Sequence, residues 1–190
     1  MRFQPAVLLD RDGTINEEIN YITRPEDLRI IPGTGEAICR LKDAGFILPV
    51  VTNQSGIARG FITESDLGEI HAEMQRQLWK VGAKVDQIFY CPHHPNQGHI
   101  PYRKTCTCRK PESGLLLQAA KELCLNLENS TMVGDSLRDL QAGWNAGCQV
   151  ALVLTGFGKK TLEEADLKTL NRINFIANNL MDVAEWLLQQ

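Results

Sequence analysis

Apolar positions follow two spacings along this chain. Short, largely unbroken runs occupy residues 6–9, 46–51, 87–90, 131–133 and 149–154, with a weaker one at 174–177. Continuous rather than alternating runs fit strands buried on both faces of a parallel sheet. Between the runs the spacing changes to three and four. Ala37, Ile38, Leu41 and Ala44 form a helical stripe closed by Gly45. Thr63 reads as an N-cap with Asp66 three residues on; Leu67, Ile70, Met74, Leu78 and Val81 then follow, and Gly82 ends the helix. Residues 115–123, 137–146 and 181–188 predict three more helices. Strands alternating with helices predict an α/β, Rossmann-like fold with right-handed crossovers. Pro49 lies inside the second run, where a central strand would lose a ladder hydrogen bond. A bulge there, or a strand that begins after it, is expected.

The length, 190 residues, suits one domain over 1–190, and 43% hydrophobic with 23% charged residues excludes disorder. A net charge of -3 supplies no basic field for a nucleic-acid backbone. No apolar run nears the roughly 18 residues that span a bilayer, and the N-terminus lacks a secretory h-region. A cytoplasmic monomer without nucleic-acid or membrane partners is expected. Gly33-Thr34-Gly35 lacks the third glycine of a dinucleotide loop and reads as a helix-entry turn. Trp79, Trp144 and Trp186 fall on separate helices and read as packing residues.

Residues 91–111 break the alternation. This stretch, CPHHPNQGHIPYRKTCTCRKP, has few aliphatics, three histidines and three of the six cysteines. Cys91-x-His93 and Cys106-x-Cys108 form two close pairs, and three thiolates with one imidazole make a closed, structural zinc site. His94 and His99 are rival donors at the imidazole corner. Cys39, Cys124 and Cys148 fall on apolar patterns and read as small hydrophobes.

Charged and polar residues cluster at the ends of the predicted strands. Asp10 and Asp12 follow the first, and in an extended segment both carboxylates would point to one side, one to attack and one to move a proton. Thr14 can add a hydrogen bond. Thr52 and Asn53 end the second run, Arg109 and Lys110 follow the cysteine loop, and Asp135 and Asp139 follow the fourth strand. Crowded carboxylates call for a divalent cation, and oxygen donors handling phosphate suit magnesium.

The segments DRDGT, VTNQSG, CRKP and GDSLRD resemble, in order, the four motifs of haloacid dehalogenase-like (HAD) phosphatases. The resemblance implies that Asp10 is the nucleophile, forming an aspartyl-phosphate, and that Asp12 is the general acid and then base. It implies that Thr52 and Lys110 stabilise the phosphoryl group. Magnesium would be held by Asp10, the backbone carbonyl of Asp12 and Asp135, with Asp139 in support. CPHHP followed by CTCRKP, with no room for a large cap, is similar to the branch that removes one phosphate from a heptose bisphosphate for nucleotide-activated heptose synthesis. The histidinol-phosphate phosphatases share DRDGTIN and VTNQSGIARG and are the alternative; a catalytically inactive zinc-stabilised binding module is a second. The resemblance implies substrate contacts from Glu18, Asn20, Tyr21, Asn53, Gln54, Ser55 and Arg109, besides Asp10, Asp12, Thr52 and Lys110. Arg109 would clamp the phosphate that is not attacked.

Overall fold

The computed structural model describes residues 4–190. In chain order the elements are β1 (Val7–Leu9), α1 (Thr34–Asp43), β2 (Pro49–Asn53), α2 (Glu64–Trp79) and β3 (Gln87–Cys91). There follow α3 (Gly114–Leu123), β4 (Thr131–Gly134), α4 (Leu137–Ala146), β5 (Gln149–Val153), α5 (Gly158–Glu164), α6 (Leu167–Leu170), β6 (Phe175–Ala177) and α7 (Leu180–Leu188). The six strands form one parallel sheet in the order β3-β2-β1-β4-β5-β6. No helix among the described residues is long and apolar enough to cross a membrane.

The twofold alternation of strand side chains splits the core into two layers. Val7 and Leu9 pack with α1, α2 and α7, whereas Ala6 and Leu8 pack with α3 and α4. Both faces are therefore covered, which explains why the strands read as unbroken apolar runs.

Pro49 opens β2 rather than interrupting it. The strand begins at this residue, paired with Gln87, where a missing N–H costs no ladder bond. Upstream, Leu48 N donates to Asp86 Oδ2 at 2.6 Å, and Lys42 Nζ pairs with the same carboxylate at 2.7 Å. Thr63 caps α2, accepting from Asp66 N at 3.1 Å while Asp66 Oδ2 accepts from Thr63 N at 2.7 Å. The stripe of α2 stops earlier than its spacing predicts: the helix ends at Trp79, and Val81 is exposed beyond it, with a methyl against Gly35. Trp79 is 71% exposed and does not pack. Trp186 does, stacked on Phe175 at 4.9 Å, and Trp144 lies under Arg172. Of the three cysteines outside the loop, Cys148 is buried, while Cys39 and Cys124 are half-buried.

One polar residue of α2 faces inward. His71 is 9% exposed, and its Nε2 has no hydrogen-bond partner among the described residues. Burial, reinforced by the nearby Arg11 charge, pushes its pKa down to about 3. The unfolded chain therefore binds a proton here that the folded chain refuses. The resulting stability is present above pH 6.5, the ordinary value, and is lost as pH falls toward 3. His71→Leu should flatten that acid limb. The check is Tm measured from pH 7 to pH 4 for both proteins; parallel curves would contradict it.

Candidate active site

β1 is flanked by β2 and β4, so the chain reverses its direction of winding beside it. Crevices outside the carboxyl ends of strands at such a point are where ligands bind in open α/β sheets. Asp10 follows β1, Thr52 lies near the end of β2, and Asp135 follows β4. A pocket at these ends is lined by Asp10, Asp12, Glu18, Asn20, Tyr21, Thr52, Asn53, Gln54, Ser55, Arg109, Lys110, Asp135 and Asp139. It also takes in Arg11, Arg59, Phe61, Arg138 and Phe157, which the sequence reading did not single out.

At its floor stands Lys110, 2% exposed, with Nζ 2.9 Å from Asp10 Oδ1 and 2.5 Å from Asp139 Oδ1. Burial would strip its proton, but the two carboxylates outweigh it and hold Lys110 above the usual lysine range. Asn53 fixes the lysine backbone, donating from Nδ2 to Lys110 O at 3.0 Å and accepting from Lys110 N at 3.1 Å. Its amide thus spends both ends on the protein.

The carboxylates differ in charge state. Burial and the Asp139 charge push Asp10 up to about 7, against the pull of Lys110. Burial, Asp139 and Asp10 push Asp135 up to about 8. Carboxyl oxygens of Asp10, Asp135 and Asp139 all lie within 4.8 Å of one another, a set that could hold a cation. Gly13 makes room for it: the residue has φ +76°, and a Cβ there would stand 1.9 Å from Asp135 Oδ2. Asp135 is further fixed by Phe157 N, which donates to Oδ2 at 2.8 Å.

Asp12 departs from the extended geometry that the sequence predicts. β1 ends at Leu9 and Arg11 lies in a bend, so the Asp12 carboxylate turns to the Arg11 guanidinium, at 2.8 and 2.9 Å from Nη2. Asn16 and Gln54 each donate to it at 2.9 Å, and Gln54 also donates to Thr52 Oγ1 at 2.9 Å. Burial would raise Asp12, but Arg11 and these amides hold it below the usual carboxylate range. Arg11 is the main residue missed; its place between two aspartates was the available signal. Thr14 is buried, and its hydroxyl has no hydrogen-bond partner among the described residues.

The flap after Gly13 folds back on itself, with Asn16 bridged to Ile30 and Glu17 N donating to Arg29 O at 2.9 Å. At its tip Tyr21 meets Phe61 edge-on at 4.9 Å and lies under Arg59. Glu18 accepts from Asn20 N, and burial raises its carboxyl.

Behind Lys110, the loop is gathered at four side chains. Cys91, Cys106 and Cys108 hold Sγ–Sγ distances of 3.2 to 3.6 Å, and His93 Nδ1 lies 3.4 Å from Cys108 and 3.6 Å from Cys91. Four donors about 2.3 Å from a zinc ion would stand roughly 3.8 Å apart, so the cluster fits one. The rival histidines fall away. His94 Nδ1 accepts from Asn96 and Gln97 N–H at 3.2 and 3.0 Å, and neither His94 nor His99 joins the four. Arg109 Nη1 donates to His93 O at 3.0 Å, tying the arginine to the same cluster.

Known proteins agree with this architecture. A family model described as HAD-hydrolase-like matches residues 107–183. A D-glycero-beta-D-manno-heptose-1,7-bisphosphate 7-phosphatase of Photorhabdus laumondii is 42% identical, covering 94% of this chain and 93% of its own. The protein of the same name in Escherichia coli K12 is 40% identical, with 98% and 95% covered. A crystal structure of the D,D-heptose 1,7-bisphosphate phosphatase from Bordetella bronchiseptica, complexed with magnesium and phosphate, matches with a TM-score of 0.87 at 40% identity, over 97% of this chain and 98% of that one. Likeness of that order over nearly the whole length means that the chain belongs to the heptose-1,7-bisphosphate 7-phosphatase family of HAD-like hydrolases.

Proposed function

We propose that the protein removes the 7-phosphate of D-glycero-D-manno-heptose 1,7-bisphosphate, leaving heptose 1-phosphate. The observation that carries this reading is Lys110, buried 2.9 Å from Asp10 at the reversal of the sheet, in a chain about 40% identical to enzymes named for that reaction. Those names favour the heptose bisphosphate over histidinol phosphate. The presence of Asp10, Asp12, Thr52, Lys110 and Asp135 together argues against an inactive binding module.

Asp10 attacks phosphorus, and the bond from phosphorus to the sugar oxygen breaks as the aspartyl-phosphate forms. Lys110 and Thr52 face the phosphoryl oxygens and stabilise their charge. Asp12 gives a proton to the leaving alkoxide. A water then attacks the aspartyl-phosphate, Asp12 takes its proton, and inorganic phosphate leaves. With Arg11 holding it ionised, Asp12 rests in the form of the second-step base; donation in the first step requires its carboxyl to part from Arg11 and take a proton from solvent.

Two metals fit the donor chemistry. The carboxylates of Asp10 and Asp135 are pushed up by burial and by the Asp139 charge, the condition that a cation relieves. Asp10, Asp135 and the carbonyl of Asp12 would hold magnesium, with Asp139 in support; when bound it screens the anionic phosphate from the anionic nucleophile. Cys91, His93, Cys106 and Cys108 would hold zinc with no open position, a structural role that orders the segment carrying Arg109 and Lys110.

Asp10→Asn should fold but lose turnover almost completely, since an amide does not attack phosphorus. Asp12→Asn should lose about 10²–10⁴-fold. Steady-state assays on the bisphosphate with phosphorus NMR of the product are the check: near-normal turnover by Asp10→Asn refutes the mechanism, and release of the anomeric phosphate refutes the substrate assignment.

Elemental analysis should find about one zinc per chain, as one four-donor site takes. Cys106→Ala should lower zinc content, Tm and activity together. A zinc-free preparation of undiminished Tm would rule out the structural role.

A further inference from the structure

Arg138 stands where a helix does not favour a cation. Ser136 is the N-cap of α4, so Arg138 is the second helical residue, at the positive end of the helix dipole. Among the described residues it makes no hydrogen bond or ion pair. It lines the pocket beside Arg109, and the two also share the hollow next to it. Glu18 lines the same pocket and forms no ion pair with Arg138. Arg138 is exposed and Arg109 half-buried, and both bring guanidinium N–H groups to the same pocket.

Their spacing is set from below. Arg109 precedes Lys110, and Arg138 precedes Asp139; Lys110 and Asp139 are the buried pair 2.5 Å apart. The ion pair on the floor therefore registers two arginines on the rim. Arg109 spends one N–H on His93 O and keeps others of its five for a ligand.

We propose that Arg138 and Arg109 form a two-armed clamp for the phosphate of the substrate that is not hydrolysed, with Arg138 a specificity residue. The proposal rests on the bisphosphate reading above. A phosphate between two guanidinia takes charge-assisted, bidentate hydrogen bonds from each. Since that phosphate does not react, its clamp binds ground state and transition state alike, and the effect belongs in KM.

The test measures kcat and KM for the heptose bisphosphate and for the heptose 7-monophosphate in the wild type, Arg138→Gln, Arg138→Lys, Arg109→Gln and the double Gln variant. The wild type should prefer the bisphosphate. Arg138→Gln should lower that preference in kcat/KM by about 10–100-fold, the range for hydrogen bonds to charged groups, with the change in KM. Arg138→Lys should recover it only in part, and the double variant should lose less than the product of the singles, because both arms hold one group. A wild-type preference that survives Arg138→Gln overturns the clamp and leaves the substrate assignment standing. Full recovery by Arg138→Lys reduces Arg138 to charge steering and also overturns it. A wild type without any preference overturns the bisphosphate reading, and the clamp with it.

Discussion

The arrangement depends on one buried ammonium group. Lys110 is out of water, and an isolated charge there would cost several kcal/mol. It is tolerable because Asp10 and Asp139 reach it from two different elements, at 2.9 and 2.5 Å. Asp10 depends on it in turn, since burial and the Asp139 charge raise its carboxyl even in the presence of the lysine. The three groups are each other's condition for being buried, and the end of β1, the cysteine loop and the start of α4 are thereby fixed to one point.

The sheet supplies the precision that this point requires. β1 pairs with both β2 and β4, so Asp10, Thr52 and Asp135 leave adjacent strands. Cys91 is the last residue of β3 and also a member of the thiol cluster, so the loop is referenced to the sheet at its first residue and to Asn53 of β2 at Lys110, near its end. A segment poor in aliphatic residues is thus held by donor atoms and backbone hydrogen bonds in place of an apolar core.

The strands and most helices could be read from spacing because both sheet faces are covered and Thr63 and Gly45 mark helix ends. α4 has the bounds its pattern predicts, and Pro49 resolves at the first residue of a strand. What spacing could not supply was direction. Asp10 and Asp12 were expected to share a face, but Arg11 enters a bend and draws Asp12 to itself. Val81 keeps the apolar period of α2 but falls past its last turn, because periodicity does not register where hydrogen bonding stops. His93 could not be told from His94 and His99 until the backbone brought its Nδ1 to the thiols. Arg138 was invisible for a related reason: a charge on a helix reads as solvated surface until its neighbours are known.

Asp139 serves two structures at once. Its Oδ1 meets Lys110, and its Oδ2 accepts from Ser136 N, closing the first turn of α4. Fraying of that turn therefore threatens one of the two carboxylates that hold the lysine. The local opening free energy at the start of α4 thus bears on the catalytic floor, and amide exchange in the first turn of α4 reads how often the floor loses its Asp139 support.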